Sequence, residues 1–479
     1  MTYQHGVSTL ETSSDTPVIT TMIGLPVAFG TAPINQVPKE KRPINKPILC
    51  YTYSEATSQL GFDSNFSDYT LCEAIKSQFK LFQRAPIVFI NVLDPEKHFK
   101  VGEPKVVEVT DGEAVVKVKG ILPETVVLKN EDGTTTYQNT ENETLYELEF
   151  DSEGYLHIFT QVAPKITVDF KVIDPEAVTA ADIIGGTSTD GKYKGLELIN
   201  HVFPLFRVVP GTIFAPKFGT DPNVASVIGA KSNNINGLFK AIGLCDLPTD
   251  TVKNYTQVEA YKTNNNISST HQIALWPKVS LEGEQYHMST QLAGLINQVD
   301  SSNDNVPYVS PSNKNLQMDS AVLEDGTEIV LGQDQAAYLN GEGIGTALNF
   351  VGGWKFWGNR TAAYPQNKSP KDSFIPVRRM MNYIQNTLIL DYWAKVDSPT
   401  NTKLIESVID DVNIWLNGLS ARGQLLGGRV EFLKEDNPQE ALIDGKVKFR
   451  VYATPPTPAR EIKFLVEFDV AYFETLFAA

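Results

Sequence analysis

Apolar and polar residues alternate through one long block of the chain, residues 101–173, and no helical pattern interrupts it. Asp111-Gly112, Asp132-Gly133 and Glu153-Gly154 divide the block into short segments, as turn residues do between strands. Alternation with period two puts the apolar side chains on one face of each strand. The pattern predicts a small, separate β-sandwich over residues 98–173.

The sequence on either side of this block has a different pattern of apolar and polar residues. Before it, strand material over residues 18–30 is followed by a helix over residues 69–84 and a buried strand over residues 86–92. After it, residues 175–184, 224–242 and 251–261 are predicted helices and residues 271–276 a strand. Strands that alternate with helices are typical of a layered α/β domain. We therefore expect residues 17–97 and 174–348 to form one α/β domain that carries an inserted, Ig-like β-sandwich.

The last part of the chain, from residue 349, predicts an α+β domain that ends at residue 461. Its best helix runs from Lys403 to Leu419, where an apolar stripe recurs with helical spacing. The charged side of this helix carries Lys403, Glu406, Asp410 and Asp411. A second helix is expected over residues 375–395 and a strand over residues 446–452. The predicted fold class is thus a multidomain α+β or α/β protein with extended N- and C-terminal arms.

The segment Phe356-Trp357-Gly358-Asn359-Arg360-Thr361 opens this last part. Two aromatic rings directly precede a glycine, an amide and a guanidinium. This order predicts a strand that ends in a tight turn, with the rings buried and Arg360 reaching an acceptor. Trp357, Gly358, Asn359 and Arg360 are therefore candidate turn residues, and Asn359 and Arg360 would fix the start of this last domain.

Both ends of the chain are candidate arms. Residues 1–16 predict an extended arm, and residues 462–479 combine an alternating strand over Ile462–Val470 with an apolar end. Such a strand leaves edge amides and carbonyls open to another chain. The tail either packs on its own core or adds a strand to a neighbour's sheet. The candidate inter-subunit residues are Tyr3, His5, Val7, Leu10, Phe464, Val466, Phe468, Val470, Tyr472 and Phe477.

Composition and motifs give little support to a catalytic, nucleotide-binding or metal-binding site. A net charge of −16 disfavours nucleic acid and anionic membranes as partners, and the apolar runs are too short to cross a membrane. Gly186 to Lys192 resembles a P-loop, but Tyr193 stands where Ser or Thr would bind magnesium. The six histidines lack the spacing of metal ligands, and three separated cysteines indicate reduced thiols. We expect no catalytic residue, cofactor or metal, and the N-terminus predicts no export signal.

Several short motifs, in order along the chain, resemble contractile phage tail sheaths and R-type pyocin sheaths. They are the opening Tyr3-Gln4-His5-Gly6-Val7 with Leu10-Glu11, the segment 45–49 (NKPIL), residues 183–196 (IIGGT, then DGKYKGL), residues 356–361 (FWGNRT) and residues 393–399 (WAKVDSP). Residues 98–173 have no counterpart in the shortest sheaths, which agrees with an inserted outer domain.

The resemblance implies a structural protein. It implies subunits that form stacked six-fold rings or a helical sheath around an inner tail tube, joined by arms shared between neighbours. It implies baseplate and tail terminator proteins as further partners, a place in the virion tail and assembly in the bacterial cytoplasm. The Lys403–Leu419 helix would face the tube or a neighbour. Sheath contraction would drive the tube through the host envelope, without contact to nucleic acid or insertion into a membrane.

Two other functions stay open from the residues alone. The β-sandwich also fits a surface adhesin or binding protein, although the N-terminal sequence predicts no export signal. A cytoplasmic enzyme with a β insertion is the second alternative, because catalytic residues can assemble in space without a sequence motif.

Overall fold

The strands near the start of the chain are continuous apolar runs, and they become the centre of a large sheet. The computed structural model describes residues 23–140, 143–151 and 153–477. Residues Ile87–Asn91 are buried at every position, as expected of a parallel strand covered on both faces. The first part contains β1 (Ile23–Gly30), β2 (Pro47–Cys50), α1 (Tyr53–Leu60), α2 (Thr70–Lys76) and β3 (Ile87–Asn91). The turn Ser77–Leu81, which is π-helical, continues α2.

The alternating block forms two small antiparallel sheets. Its strands are β4 (Phe99–Val101), β5 (Lys105–Glu108), β6 (Glu113–Val116), β7 (Val127–Asn130), β8 (Thr136–Tyr137), β9 (Tyr146–Phe150), β10 (Leu156–Thr160), β11 (Lys165–Asp169) and β12 (Lys171–Ile173). One sheet has the order β6-β10-β9 and the other β5-β11-β7-β8. The first and last strands of the block, β4 and β12, pair with each other. Val116 and Ile158 of the first sheet share one buried cluster with Leu128 and Ile166 of the second. The block therefore has a core of its own.

The chain then returns to alternating helices and strands. These are α3 (Ala180–Ile184), β13 (Gly186–Thr187), β14 (Tyr193–Lys194), α4 (Ile199–Phe206), β15 (Val209–Phe214), α5 (Pro222–Asn233), β16 (Ile242–Asp246), α6 (Tyr255–Asn264), β17 (Gln272–Leu275), β18 (Lys278–Leu281), β19 (Glu284–Tyr286), α7 (Met288–Ser301), β20 (Lys314–Asn315), β21 (Ser320–Val322), α8 (Gln333–Gly341), β22 (Ile344–Asn349) and β23 (Trp354–Trp357).

One nine-stranded sheet organises this part, with the order β2-β3-β1-β15-β16-β17-β22-β23-β20. The strands from β3 to β22 run parallel, and antiparallel strands close both edges. β1 lies third in this order, between β3 and β15, and the chain builds outward from it in both directions, which is the doubly wound arrangement. Helices α2, α4, α5, α7 and α10 pack against the strands, α10 being residues Ile375–Tyr392. The fold is a mixed α/β multidomain fold, as predicted.

The C-terminal part packs around one amphipathic helix. Its elements are α9 (Pro370–Ser373), α10 (Ile375–Tyr392), α11 (Thr402–Ala421), β24 (Gly427–Glu431), α12 (Gln439–Ile443) and β25 (Arg450–Thr454). Val412 and Leu416 of α11 are buried with Ile384 of α10 and Val430 of β24. β22 and β23 pair across the predicted domain boundary at residue 349, so the main sheet continues past that position.

Several predicted elements differ from those observed. The helix expected over 224–242 ends at Asn233, because Asn236 and Gly237 follow with positive φ angles of 55° and 75° in a tight turn. The strand expected over 446–452 lies at Arg450–Thr454. The helix expected over 375–395 ends at Tyr392, and Trp393–Lys395 continues it as a 3-10 turn.

Candidate assembly surface

The turn after β23 depends on close contacts at two glycines. The Phe356 side chain is fully buried, and a Cβ on Gly345 would come within 2.6 Å of its ring. Gly358 has a φ of 153°, and a Cβ there would lie 2.9 Å from the Gly345 Cα. Trp357 is half-buried. The sequence FWG thus ends β23 where two backbone segments approach too closely for any other side chain.

Arg360 lies between two aromatic rings of its own chain. Its guanidinium carbon is 4.3 Å from the centroid of the Tyr364 ring and 3.7 Å from that of Phe374. It also donates a hydrogen bond to the Ser373 hydroxyl at 2.8 Å. The neighbouring Asn359 carbonyl accepts from the Ile375 amide at 2.9 Å, at the first residue of α10. Burial lowers the pKa of Arg360, and the nearby charge of Arg460 lowers it further.

Replacement of Arg360 by Lys is expected to reduce the free energy of unfolding by about 1–2 kcal/mol. Lysine keeps the charge but loses the planar group that stacks on both rings. Urea unfolding followed by tryptophan fluorescence measures the change. The exposed Arg460 is the matched control, because Arg460→Lys should change stability by less than about 0.5 kcal/mol. Equal effects of the two changes would contradict a stacking role.

Helix α11 presents a charged surface to solvent. The Asn401 side chain caps its start by accepting a hydrogen bond from the Leu404 amide at 2.9 Å. Lys403, Glu406, Asp410 and Asp411 are exposed, on the side of the helix predicted from the sequence. The apolar residue Ile414 is also 70% exposed on this helix. This surface is available for contact with another molecule.

The tail is defined here as residues 462–479, and its described part, residues 462–477, contains no strand in the single chain. Residues 462–469 have no regular secondary structure, and Val470–Phe477 is a 3-10 helix. The strand predicted over Ile462–Val470 is therefore wrong for the isolated subunit, because a strand requires a partner that the tail does not contact here. Its apolar side chains remain in solvent. The exposed fractions are 83% for Phe464, 92% for Val466, 80% for Phe468, 67% for Val470 and 73% for Tyr472.

Some predicted arm residues lie outside this description. Tyr3, His5, Val7 and Leu10 precede the described residues, and for Phe477 the backbone alone is described. Their assignment to the arms remains a prediction.

A two-stranded sheet with two open edges stands at the end of the fold. β24 and β25 pair from Gly427–Thr454 to Glu431–Arg450, and among the described residues no third strand joins them. Val430 packs on α11, so the inner face of this sheet is covered. Leu426, next to the start of β24, is 73% exposed and lines a shallow cavity of about 340 Å³. The Val430 amide of β24 donates to the Asn413 side chain of α11 at 3.0 Å, and the two edges of the sheet otherwise offer backbone donors and acceptors.

Polar side chains attach α10 to the amino ends of the parallel strands, which the sequence analysis did not predict. The buried Arg379 guanidinium pairs with the buried Asp300 carboxylate of α7, with Nη1 3.1 Å from Oδ1. Asn382 donates to the Ala241 carbonyl at 2.9 Å, and Asn386 donates to the Lys240 carbonyl at 2.8 Å. The signal in the sequence is an arginine and two amides at helical spacing among apolar residues.

The segments and side chains that could have formed a phosphate, metal or thiol site lie in ordinary structural surroundings. Gly186–Thr187 and Tyr193–Lys194 form a short hairpin after α3, so this segment lacks the strand-to-helix turn of a P-loop. In the described part of the chain no three His, Cys, Asp or Glu residues are placed to hold a metal ion, and no helix is long and apolar enough to span a membrane. Cys50, Cys72 and Cys245 are buried free thiols. Burial raises the pKa of Cys50 and of Cys72 to about 12.

Comparison with known proteins identifies relatives over nearly the whole chain, although no protein-family model matches it. The tail sheath protein of Burkholderia phage BcepMu is 28% identical, over 99% of this chain and 98% of that protein. The tail sheath protein of Escherichia phage P2 is 22% identical, over 96% of this chain and 94% of that protein.

Solved structures share the fold. A chain of the anti-feeding prophage baseplate in the contracted state superposes with a TM-score of 0.59 at 14% identity, covering 98% of this chain and 100% of that one. A chain of the PVC sheath complex of an extracellular contractile injection system gives a TM-score of 0.57 at 14% identity, with 98% and 99% covered. A sheath tail protein from Desulfitobacterium hafniense gives 0.54 at 11% identity, with 94% and 96% covered. Over nearly its whole length the chain is similar to tail sheath proteins, as its motifs predict.

Proposed function

We propose that this protein is the subunit of a contractile tail sheath, which polymerises around an inner tail tube and contracts to drive the tube through the host envelope. The observation that carries the proposal is the exposed apolar tail that follows, in sequence, a two-stranded sheet with free edges. The likeness to phage tail sheath proteins along the whole chain supports it. Neither the adhesin nor the enzyme alternative gains support from these relatives.

The tail is the proposed link between subunits. In one copy the side chains of Phe464, Val466 and Phe468 are almost entirely in solvent. On a neighbour they would lie along an edge of β24 or β25, where each new backbone hydrogen bond adds about 0.5–1.5 kcal/mol. Residues 1–16 are proposed as the second arm. Repetition of these contacts from subunit to subunit builds an open helical polymer or stacked rings.

The domains have proposed places in the sheath. Residues 98–173, as an Ig-like β-sandwich inserted between the two parts of a layered α/β domain, would lie on the outer surface. Residues 349–461 would form the inner domain, whose start is fixed by Asn359 and Arg360. The exposed charged side of α11 would face the tube or a neighbouring subunit. During contraction the subunits would move as near-rigid bodies whose arms stay engaged.

The proposed partners follow from this architecture. They are other copies of the chain in six-fold rings or a helix, the inner tube protein, and baseplate and tail terminator proteins. The proposed location is the virion tail, assembled in the host cytoplasm. The stroke needs no active site, because a sheath held in a high-energy extended state releases its energy by rearrangement. The proposed function is therefore mechanical rather than enzymatic.

Electron microscopy of the purified full-length protein tests the proposal directly. Concentrated protein should form hollow tubes or stacked rings with a repeating subunit. Monodisperse particles under all concentrations and salt conditions would contradict a sheath function. Co-expression with the tube protein from the same gene neighbourhood should raise the yield of ordered tubes.

Replacing Asp410 and Asp411 together by Asn is expected to weaken tube binding about 3- to 10-fold at low salt, because each exposed charge pair contributes about 0.2–1 kcal/mol. The difference should fade as salt is raised. Co-sedimentation of sheath subunits with preformed tubes measures it. The exposed carboxylate of Asp444, elsewhere in the same part of the chain, gives the control Asp444→Asn. Unchanged binding at low salt would remove α11 from the tube interface.

A further inference from the structure

A proline-rich segment, residues 455–461, connects β25 to the tail, and we call it the spacer. Pro455, Pro456 and Pro458 occupy three of its seven positions. Pro455 is buried, Pro456 and Pro458 are half-buried, and the segment has no helix, strand or turn. Within the described residues no backbone hydrogen bond joins residues 455–469 to the rest of the chain. The spacer is therefore held at its first residue, and beyond it no backbone hydrogen bond attaches the spacer to the rest of the described chain.

The spacer is stiff and long compared with the distance between strands. Proline fixes φ, and proline-rich segments extend by about 3.1 Å per residue, so the seven residues reach about 20 Å. Neighbouring strands lie only about 4.8 Å apart. Hairpins close through loops of about two to five residues that bend sharply. A tail that followed β25 through this spacer would begin too far away to fold back beside it.

Self-pairing would otherwise compete with assembly. The free edge of β25 is the edge closest in sequence to the tail, and a flexible link holds two parts of one chain at an effective concentration of about 1 mM. Subunits at about 10 µM would then pair within one chain about 100 times more often than between chains. Closed monomers of this kind would contain a satisfied sheet and a buried tail, and they would not polymerise.

We infer that the spacer prevents the tail from pairing with its own sheet and so directs it to a second copy of the chain. This inference rests on the proposed function, in which the tail joins subunits. The exposure of Ala459, Arg460 and Glu461 supports this inference, because the end of the spacer lies in solvent. In the described chain the spacer therefore leaves β25 without a backbone hydrogen bond to its own sheet. The partner that the tail fits is an identical subunit.

The test is a full-length variant with a flexible spacer, Pro456→Gly with Pro458→Gly, which keeps the buried Pro455. We expect it to stay largely monomeric at a concentration at which the unchanged protein forms tubes, with assembly reduced about 100-fold. Hydrogen exchange in the monomer fraction should show protected amides over residues 462–469. The same amides should exchange freely in monomers with the native spacer. Analytical ultracentrifugation and hydrogen-exchange mass spectrometry provide the two readouts.

Two controls separate this inference from the proposed function. Pro104→Gly, at an exposed proline of the inserted block, should leave assembly unchanged. A chain without the tail tests whether the tail joins subunits at all. Should the flexible variant assemble like the unchanged protein, or should its monomer fail to protect the tail, the spacer inference is overturned. Normal assembly of the tail-less chain would instead overturn the tail's role in the proposed function.

Discussion

A chain that lacks residues 462–479 is expected to remain a folded monomer and to form no tubes. The fold should persist because the tail contributes nothing to the buried clusters of the described chain. Assembly should fail because burial of Phe464, Val466 and Phe468 on a neighbour would supply about 1.5–3 kcal/mol each. Association costs about 4–15 kcal/mol before any contact forms, so this loss is decisive. Negative-stain microscopy and sedimentation measure tubes and monomers, and circular dichroism checks the fold.

A single pair of substitutions tests how the tail is held. In an extended strand, Val466 and Leu465 point to opposite faces. Val466→Asp should therefore abolish assembly, because it places a charge on the face shared with Phe464 and Phe468. Leu465→Asp introduces the same charge one position away and should reduce assembly far less. Equal loss in both variants would show that the tail is not bound as a strand with one buried face.

Arg379→Ala is expected to lower the free energy of unfolding by about 3–5 kcal/mol, because it leaves the buried Asp300 carboxylate without its partner. The Arg379 and Asp300 side chains are only 5% and 8% exposed, respectively. Urea unfolding of the tail-less monomer, followed by circular dichroism, measures the change without interference from assembly. The substitution should destabilise the packing of α10 against the main sheet. It should therefore also destabilise the C-terminal elements that pack around α11.

A double variant distinguishes a lost charge pair from lost packing. Arg379→Met combined with Asp300→Leu should recover most of the stability, since apolar replacement of a buried ion pair is often neutral or stabilising. The exposed Lys395 gives a surface control, and Lys395→Ala should change stability by less than about 0.5 kcal/mol. If the double variant were as unstable as Arg379→Ala, the ion pair would not be the cause.

Local patterns predict the elements that local chemistry determines. The apolar stripe of α11, the buried run of β3 and the glycine after Trp357 each appear in the structure near their predicted positions. The order of the nine strands is decided by contacts distant in sequence, such as β1 with β15, and no local pattern contains it. Helix α7 is not among the predicted elements although Leu292, Leu295 and Ile296 have helical spacing. Gly294 lies inside it, and polar residues such as Gln291 are buried with the apolar ones, so the apolar stripe is not distinct in the sequence.

The candidate assembly surface, too, is predictable from the sequence only in part. The exposure of Asp410 and Asp411 follows from helical periodicity, so the sequence predicts it. The tail strand does not appear because its expected partner is another chain. Alternation predicts that the tail can form a strand where a neighbouring strand is present, but not where that strand comes from. Arg360 bonds to Ser373 and stacks on Phe374, residues 13 and 14 positions away, which no turn pattern predicts.

The burial of the three cysteines has a practical consequence for following assembly. Cys50, Cys72 and Cys245 are each 0% exposed, and burial keeps their thiols protonated and unreactive. A cysteine introduced on the tail would therefore react first with a maleimide dye, without prior removal of the native ones. Single-molecule fluorescence from such a label would record when one subunit captures the next, in real time.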